Sequence, residues 1–143
     1  MSIASAAAPL VTRWPVHDEA EIAAVAAVLR SGKTNYWLGE HGQAFETEWA
    51  QHVGVPHALT VSNGTTALEA ALRGVGLGAA DPGHDVAMTP QVIVPCRTFM
   101  ATASAVVHAG GVPVLADIDQ ETLCLTAQTC EAVRTGATVG VIV

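Results

Sequence analysis

Aromatic and charged residues are scarce in this sequence of 143 residues: aromatics make up 4% and charged residues 13%. Half of all residues are hydrophobic, so the composition predicts a globular chain whose core is built mainly of Ala, Val and Leu. Only six residues are basic, they are scattered along the chain, and the formal net charge is −7. A nucleic-acid-binding surface needs clustered Lys and Arg, so nucleic acid is excluded as a partner.

Long apolar runs and metal-binding patterns are also missing. No run approaches the length of a membrane span, and the N-terminus lacks the charged and apolar regions of a signal peptide. The histidines form no HxxxH or HExxH pair, so we expect no metal site. The odd number of cysteines predicts reduced thiols in a cytosolic core, although Cys124 and Cys130 could be neighbours. We therefore expect a soluble, cytoplasmic protein with no membrane partner.

The N-terminal part of the sequence predicts a leader followed by two amphipathic helices. Residues 1–16 have no regular pattern and are expected to lead into the fold. "DEAEIAAVAAVLRSGK" predicts a helix with acidic residues in its first turn and a C-cap at Gly32. "QAFETEWAQHVGV" predicts a second helix that ends at Gly54, with Phe45 and Trp49 at helical spacing on its core face.

Short apolar runs alternate with helix-like segments over the rest of the chain, which we predict to be one domain over residues 17–143. This alternation indicates an α/β layered fold with a mostly parallel sheet. The strand-like runs are "HALTV" (57–61), "DVAM" (85–88), "QVIV" (91–94), "VPVLAD" (112–117) and "TVGVIV" (138–143). Only one of "DVAM" and "QVIV" can hold the central sheet position. We expect "QVIV" in the sheet, because it adjoins "CRTF", and "DVAM" in a loop or at an edge.

The last four residues, "GVIV", are fully apolar, which is typical of a strand buried in a parallel sheet. A terminal carboxylate near a sheet interior is costly. We therefore expect this chain to be the N-terminal piece of a longer protein.

The segment "SNGTTAL" joins the strand-like run 57–61 to a helical run. Ligands of open α/β sheets bind beyond the carboxyl ends of the strands, and a helix start offers unpaired N–H groups that suit a phosphate. Gly64 allows close backbone approach, while Thr65 and Thr66 offer both N–H and hydroxyl donors. The alternative is that Ser62, Asn63 or Thr65 only caps the helix. The motif is neither a Walker loop nor a GxGxxG, and by itself leaves both interpretations open.

Two long stretches together resemble the DegT/DnrJ/EryC1/StrS family of pyridoxal-phosphate-dependent sugar aminotransferases. They are "SGKTNYWLGEHGQAFETEWAQHVGVPHALTVSNGTTALEAALRGVGLG" and "VPCRTFMATASAVVHAGGVPVLADIDQETLCL", and the resemblance runs from about Trp14 to the last residue. It implies that residues 17–143 form the N-terminal part of the large domain of a type I aminotransferase fold. It also implies a homodimer that moves an amino group from glutamate to a nucleotide-linked keto-sugar.

The resemblance further implies roles for individual residues. Gly64, Thr65 and Thr66 would hold the phosphate of pyridoxal 5'-phosphate, and Phe99 would lie against its pyridine ring, where a flat apolar face fixes the plane of the ring. Asn35 and Tyr36, in "TNYW", match a loop near the substrate entrance and are candidate sugar contacts.

The aspartates of "ADID" and the single lysine are assigned no catalytic role. Asp117 and Asp119 match a family motif for which we expect turn and structural roles. Amino transfer by this cofactor needs a lysine that forms a Schiff base with it. Lys33 lies far ahead of the phosphate corner and is interpreted as a solvated residue at a helix end. We therefore assign no catalytic residue within the chain and expect the Schiff-base lysine beyond Val143.

Two other functions share the same fold. One is a non-catalytic truncated product or dimerisation module, which the missing lysine supports. The other is a sugar dehydratase that uses the aminated cofactor and carries histidine in place of the lysine. A residue absent from this sequence separates the dehydratase from the aminotransferase.

Overall fold

The computed structural model describes residues 15–78 and 89–143 and folds them into alternating helices and parallel strands. The helices are α1 (Glu19–Ser31), α2 (His41–Val53), α3 (Gly64–Gly74), α4 (Ala101–His108) and α5 (Ala127–Val133). The strands are β1 (Gln91–Pro95), β2 (Val112–Ala116) and β3 (Thr138–Val141). The predicted α/β fold class with a parallel sheet is confirmed.

The chain divides into two units, Met1–Ala58 and Leu59–Val143. The first unit holds α1 and α2, and the second holds α3, α4, α5 and the three described strands. The leader at 1–16 and the single domain at 17–143 stay predictions, and residues 1–14 lie outside the described part of the chain.

Local hydrogen bonds define both ends of α1. The Asp18 carboxylate accepts from the Glu21 backbone N–H at 2.8 Å, and the Glu21 carboxylate accepts from the Asp18 N–H at 2.9 Å. This reciprocal capping box satisfies two donors at the helix start. Gly32 ends the helix in the left-handed region at φ 71°, and Gly54 ends α2 in the same way at φ 77°. Both predicted helix ends are confirmed.

The apolar faces of α1 and α2 are exposed in the first unit, so the predicted core role of Phe45 and Trp49 is wrong for this structure. Their side chains are 53% and 50% exposed, and their rings stack on each other with centroids 5.9 Å apart. Among the described residues of this unit, Ala50 alone is buried. Helical spacing predicts which residues share a face, but it does not say what covers that face.

The sheet has the order β2-β1-β3, and both neighbours run parallel to β1. Val92, Ile93 and Val94 are buried. Because successive side chains of a strand point to opposite faces, β1 is covered on both sides, as a central parallel strand should be. The prediction that "QVIV" holds the central position is confirmed, while "DVAM" at 85–88 lies outside the described residues.

Two further predictions, one on a strand and one on the cysteines, are wrong. Residues 57–61, which the sequence predicts as a strand, pair with none of the three described strands. A strand-like pattern indicates a half-buried surface but does not specify a pairing partner. The cysteines were expected in the core, but Cys96 and Cys124 are exposed and Cys130 is only partly buried. All three are free thiols, as predicted.

The core of the second unit lies between the sheet and the pair α3 and α4. Val92 and Val94 share one face of β1, and side chains of both helices pack on that face. Burying each Leu or Val of this kind contributes about 1.5–3 kcal/mol. The buried cluster comprises Leu72, Leu77, Val92, Val94, Ala105, Val106 and Ala109.

Candidate functional site

The candidate site lies at the carboxyl end of the sheet, where α3 and α4 both begin. The two helices run in the same direction, because Glu69 and Arg73 in the second half of α3 bond to His108 at the end of α4. Their first residues therefore lie at the same end of the pair. α4 follows the carboxyl end of β1 after a short connection, which brings both helix starts to the edge where parallel α/β sheets bind ligands.

The corner at the start of α3 is capped by Asn63. Its side-chain oxygen accepts from the Thr66 N–H at 3.1 Å, and its own amide donates to the Ser62 hydroxyl at 3.0 Å. Of the three possible caps that the sequence leaves open, the structure selects Asn63. The N–H groups of Gly64 and Thr65 sit in the first helical turn, where no carbonyl of the helix can reach them.

The donors around this corner fit a phosphate group. A Cβ atom added to Gly64 would meet nothing within 4 Å, so the space in front of the helix start is open. The Thr66 hydroxyl lies 3.3 Å from the Asn63 oxygen, which is long for an O–H···O bond, so it can turn toward a ligand at little cost. Thr65 is partly buried and therefore held in place. Two N–H groups and two hydroxyls can thus face one anion.

Phe99 lies just before α4 and is 80% exposed. Its backbone is fixed, because its carbonyl accepts from the Thr102 N–H at 3.0 Å and the hydroxyls of Thr98 and Thr102 bond at 2.9 Å. Thr102 is buried, which anchors this turn to the core. A rigid backbone carrying an exposed flat ring suits stacking on a planar ligand.

A thiol and a carboxylate meet at the same edge, a pairing that was not predicted from the sequence. The Cys96 thiol donates to the Asp117 carboxylate at 3.6 Å, and the Cys96 N–H donates to the Ala116 carbonyl at 2.9 Å. Asp117 also accepts from the Ile118 N–H at 2.8 Å, in agreement with a turn role. The signal in the sequence was that both residues directly follow parallel strands, whose carboxyl ends meet.

Asn35 and Tyr36 belong to the first unit, whereas the corner residues belong to the second. The Asn35 side-chain oxygen accepts from the N–H groups of Trp37 and Leu38, each at 3.0 Å, so this side chain shapes its own loop. The Tyr36 hydroxyl donates to the Glu46 carboxylate at 2.8 Å. This bond, together with desolvation and the charge of Glu46, raises the pKa of Tyr36. Tyr36 also lines a concavity of about 420 Å³ beside α2.

The lysine and the described acidic and histidine residues offer no competing centre. Lys33 is 58% exposed and lies 3.5 Å from Glu40, just beyond the end of α1, in agreement with a solvated role. Within residues 15–78 and 89–143, no group of three His, Cys, Asp or Glu residues is arranged to hold a metal. No helix in these ranges is long and apolar enough to cross a membrane.

Asp119 organises the turn between β2 and α5. Its carboxylate accepts from the Thr122 N–H at 2.8 Å, the Thr122 hydroxyl at 2.9 Å and the Glu121 N–H at 3.2 Å. The bonds from Thr122 are the main reason that the pKa of Asp119 lies below its usual value. The structural role expected for Asp119 is thus seen directly.

Replacing this residue, Asp119→Ala, should make stability less dependent on acid pH. A carboxyl whose pKa is lowered on folding stabilises the protein above its unfolded pKa, and this stabilisation is lost as the pH falls through the folded pKa. Urea unfolding at neutral pH and at several values below about pH 4 should show a gap between wild type and variant that shrinks with acidification. Glu121→Ala is the control, because it removes a neighbouring carboxylate and keeps the backbone N–H. A gap that stays constant with pH would contradict the role of the ionised carboxylate.

Comparison with known proteins identifies relatives over nearly the whole chain. The sequence model of the DegT/DnrJ/EryC1/StrS aminotransferase family matches residues 15–143. The 3-amino-5-hydroxybenzoate synthase of Amycolatopsis mediterranei is 37% identical over 131 residues, which cover 92% of this chain and 31% of the synthase. The GDP-perosamine synthase of Caulobacter vibrioides is 39% identical over 105 residues, covering 71% of this chain and 26% of that protein.

A solved relative has the same fold. The aminotransferase Spr1654 of Streptococcus pneumoniae, in its PLP form, superposes with a TM-score of 0.74 and 31% identity, over 89% of this chain and 30% of Spr1654. The same protein is also known in a PMP form. The chain thus spans about a third or less of each of these relatives, from 26% to 31%.

Proposed function

The chain belongs to the DegT/DnrJ/EryC1/StrS aminotransferase family, and we propose that the protein carrying this segment is a pyridoxal-phosphate-dependent sugar aminotransferase. Its amino donor is glutamate and its acceptor is a nucleotide-linked keto-sugar. It works as a homodimer in the cytoplasm, in the synthesis of a cell-surface polysaccharide or an antibiotic sugar.

The observation that carries this proposal is the shared position of a phosphate corner and an exposed aromatic ring. The open space at Gly64 leaves room for the cofactor phosphate. The N–H groups of the first turn of α3 and the two threonine hydroxyls provide its hydrogen-bond donors. Phe99 lies two positions before the neighbouring parallel helix α4, and we propose that it provides a face for the pyridine ring. Donors that bind the phosphate and a ring that stacks on the pyridine together fix the position and the tilt of the cofactor.

The residues of this chain act by binding and orientation. The cofactor, when bound, carries the amino group between the donor and the acceptor. Thr65 and Thr66 hold its phosphate with hydrogen bonds to a charged group, which are the stronger class of hydrogen bond. Phe99 holds the ring plane and excludes water from one face. The lysine that bonds to the cofactor is expected outside this segment.

The acceptor class rests on a relative and on polar groups in the first unit. The name GDP-perosamine synthase refers to a nucleotide-linked amino sugar. Asn35 and Tyr36 are the proposed sugar contacts, since a hydroxyl with an acceptor lone pair and an amide N–H₂ can both bond to sugar hydroxyls. The Tyr36 hydroxyl already donates to Glu46, so it would accept a hydrogen bond from the sugar.

The first test is made on the native protein, captured from its source with an antibody to this segment. We expect an intact mass well above 14.6 kDa, the mass of this chain. We also expect a cofactor adduct after borohydride reduction, and amino transfer from glutamate to a nucleotide-linked keto-sugar. Glutamine as donor and the unlinked keto-sugar as acceptor are the comparisons. Loss of the sugar hydroxyl with no amino transfer would instead show a dehydratase.

A non-catalytic dimerisation module is the second candidate, and one observation favours it. Ile22, Val25, Leu29, Phe45 and Trp49 expose apolar surface on the two helices of the first unit. Exposed apolar patches of this kind mark interaction surfaces. A native mass equal to that of this chain, with no bound cofactor, would support the module and overturn the aminotransferase.

A further inference from the structure

Three polar groups join the middle and end of α3 to the last residue of α4. His108, the last residue of α4, lies with its Nδ1 atom 2.7 Å from a Glu69 carboxylate oxygen, and the nitrogen is the donor because the carboxylate can only accept. The Arg73 guanidinium donates to the His108 carbonyl oxygen at 2.7 Å. Two residues one turn apart on α3 therefore bond to both the side chain and the backbone of one residue on α4.

The same ends are held by close backbone contact. Gly78 follows α3, and a Cβ atom on it would lie 2.1 Å from the Ala109 carbonyl oxygen. A Cβ on Gly110 would lie 3.2 Å from the Gly78 Cα. This contact limits how closely the backbone after α3 approaches the backbone after α4. The bonds to His108 define the rotation and axial shift of α4 relative to α3, which an apolar contact defines poorly because it is not directional.

This end of the pair is opposite the candidate site. The corner residues begin α3, and Phe99 precedes α4 by two positions. A helix of this length transmits a shift or rotation at one end to the other, because its backbone hydrogen bonds make it rigid. The alignment at Glu69 and His108 thus determines the separation of the phosphate donors from the aromatic ring.

We propose that Glu69, Arg73 and His108 are positioning residues that set the distance and angle between the phosphate corner and Phe99. This inference rests on the proposed function, since it concerns how the same cofactor is held. None of the three touches the cofactor. Their effect is to align two helices whose starts bind different parts of one rigid ligand, so misalignment weakens both contacts together.

The experiment measures binding of pyridoxal 5'-phosphate to the full-length protein and the induced circular dichroism of the bound cofactor. The variants are Glu69→Ala, His108→Ala, the double variant, Arg73→Ala, and the conservative His108→Gln, whose amide can still donate to Glu69. Glu131→Ala is the matched control, because it breaks a pair of similar length, Glu131 to Arg134 at 2.8 Å, at the end of α5 in the same unit. Thermal unfolding of each apoprotein reports stability separately.

We expect Glu69→Ala and His108→Ala each to raise the Kd for the cofactor about tenfold. The double variant should bind the cofactor no more weakly than either single variant, because both single variants break the same interaction. The induced circular dichroism should change in sign or strength, because it reports the orientation of the ring. His108→Gln should restore most of the affinity, Arg73→Ala should act like His108→Ala, and Glu131→Ala should leave binding unchanged.

Three outcomes would overturn the proposal and can be told apart. If Thr65→Val weakens binding but Glu69→Ala changes neither affinity nor dichroism, the corner stands and the positioning role is wrong. If His108→Gln binds as poorly as His108→Ala while both melt early, the three residues act through stability alone. If the wild-type protein does not bind the cofactor, the proposed function and this inference fail together.

Discussion

The double variant Thr65→Val and Thr66→Val should bind pyridoxal 5'-phosphate at least about a hundredfold more weakly than wild type, because each hydroxyl contact to a charged phosphate contributes about 1.5–3 kcal/mol. Valine has nearly the shape of threonine, so the change removes hydrogen-bonding groups and little else. Both positions lie in the first turn of α3, where the described structure leaves room for an anion.

The two threonines should not contribute equally. Valine keeps the backbone N–H, so the difference must come from the hydroxyls. The Thr66 hydroxyl already has a partner in the protein, the Asn63 side-chain oxygen at 3.3 Å. Thr65 is also partly buried, so its hydroxyl is held in one place. We expect the single variant Thr65→Val to lose more affinity than Thr66→Val.

Cofactor affinity is measured by spectroscopic titration of the full-length apoprotein. The matched control is Thr47→Val, which removes an exposed hydroxyl that bonds to the Gln43 carbonyl at 2.9 Å on α2. Gly64→Ala is a second probe, because its added Cβ atom would meet nothing within 4 Å among the described residues, so we expect it to collide with the ligand. Unchanged affinity in the double variant would remove the corner from the cofactor site.

Gly78→Ala should lower the free energy of unfolding by about 3 kcal/mol, the sum of a left-handed backbone strain and an overpacking cost. Gly78 has φ 83°, and an added Cβ would lie 2.1 Å from the Ala109 carbonyl oxygen. That oxygen belongs to the backbone at the end of α4 and cannot move without moving the helix. The free energy of unfolding of a domain is about 5–15 kcal/mol, so this loss is a large share of it.

Gly74→Ala on the same helix provides the control. Gly74 lies inside α3, and a Cβ there would meet nothing within 4 Å. Alanine favours a helix over glycine by about 0.5–1 kcal/mol, so this variant should be neutral or more stable. Urea unfolding of the two variants and wild type separates the predictions. If Gly78→Ala unfolds at the same urea concentration as wild type, the close contact at the helix ends is wrong.

Short-range features were determined by the sequence alone. The acidic first turn of α1 and the glycines at 32 and 54 predicted helix ends that the structure confirms, because capping bonds join residues only a few positions apart. "QVIV" was placed in the sheet from its apolar run and its neighbour "CRTF", and β1 lies there. The same local pattern located the corner at Gly64, which is the first residue of α3.

Long-range features were decided by the tertiary structure. Phe45 and Trp49 share a helix face as predicted, but the face is exposed, because periodicity does not specify a covering partner. The run 57–61 has a strand pattern but pairs with no described strand, because a local pattern does not specify which strand a run will pair with. The choice of Asn63 as cap among three candidates needed the actual backbone angles.

The alignment of α3 and α4 is another long-range feature that the tertiary structure decided. Nothing in the sequence joined Glu69 to His108, which are 39 positions apart. The bond exists because the core residues of both helices pack on the same face of β1 and so set the helices side by side. The sequence by itself determined which residues could bind a phosphate or stack on a ring. Only the packing of two parallel helices on one sheet decided that these residues lie at the same edge.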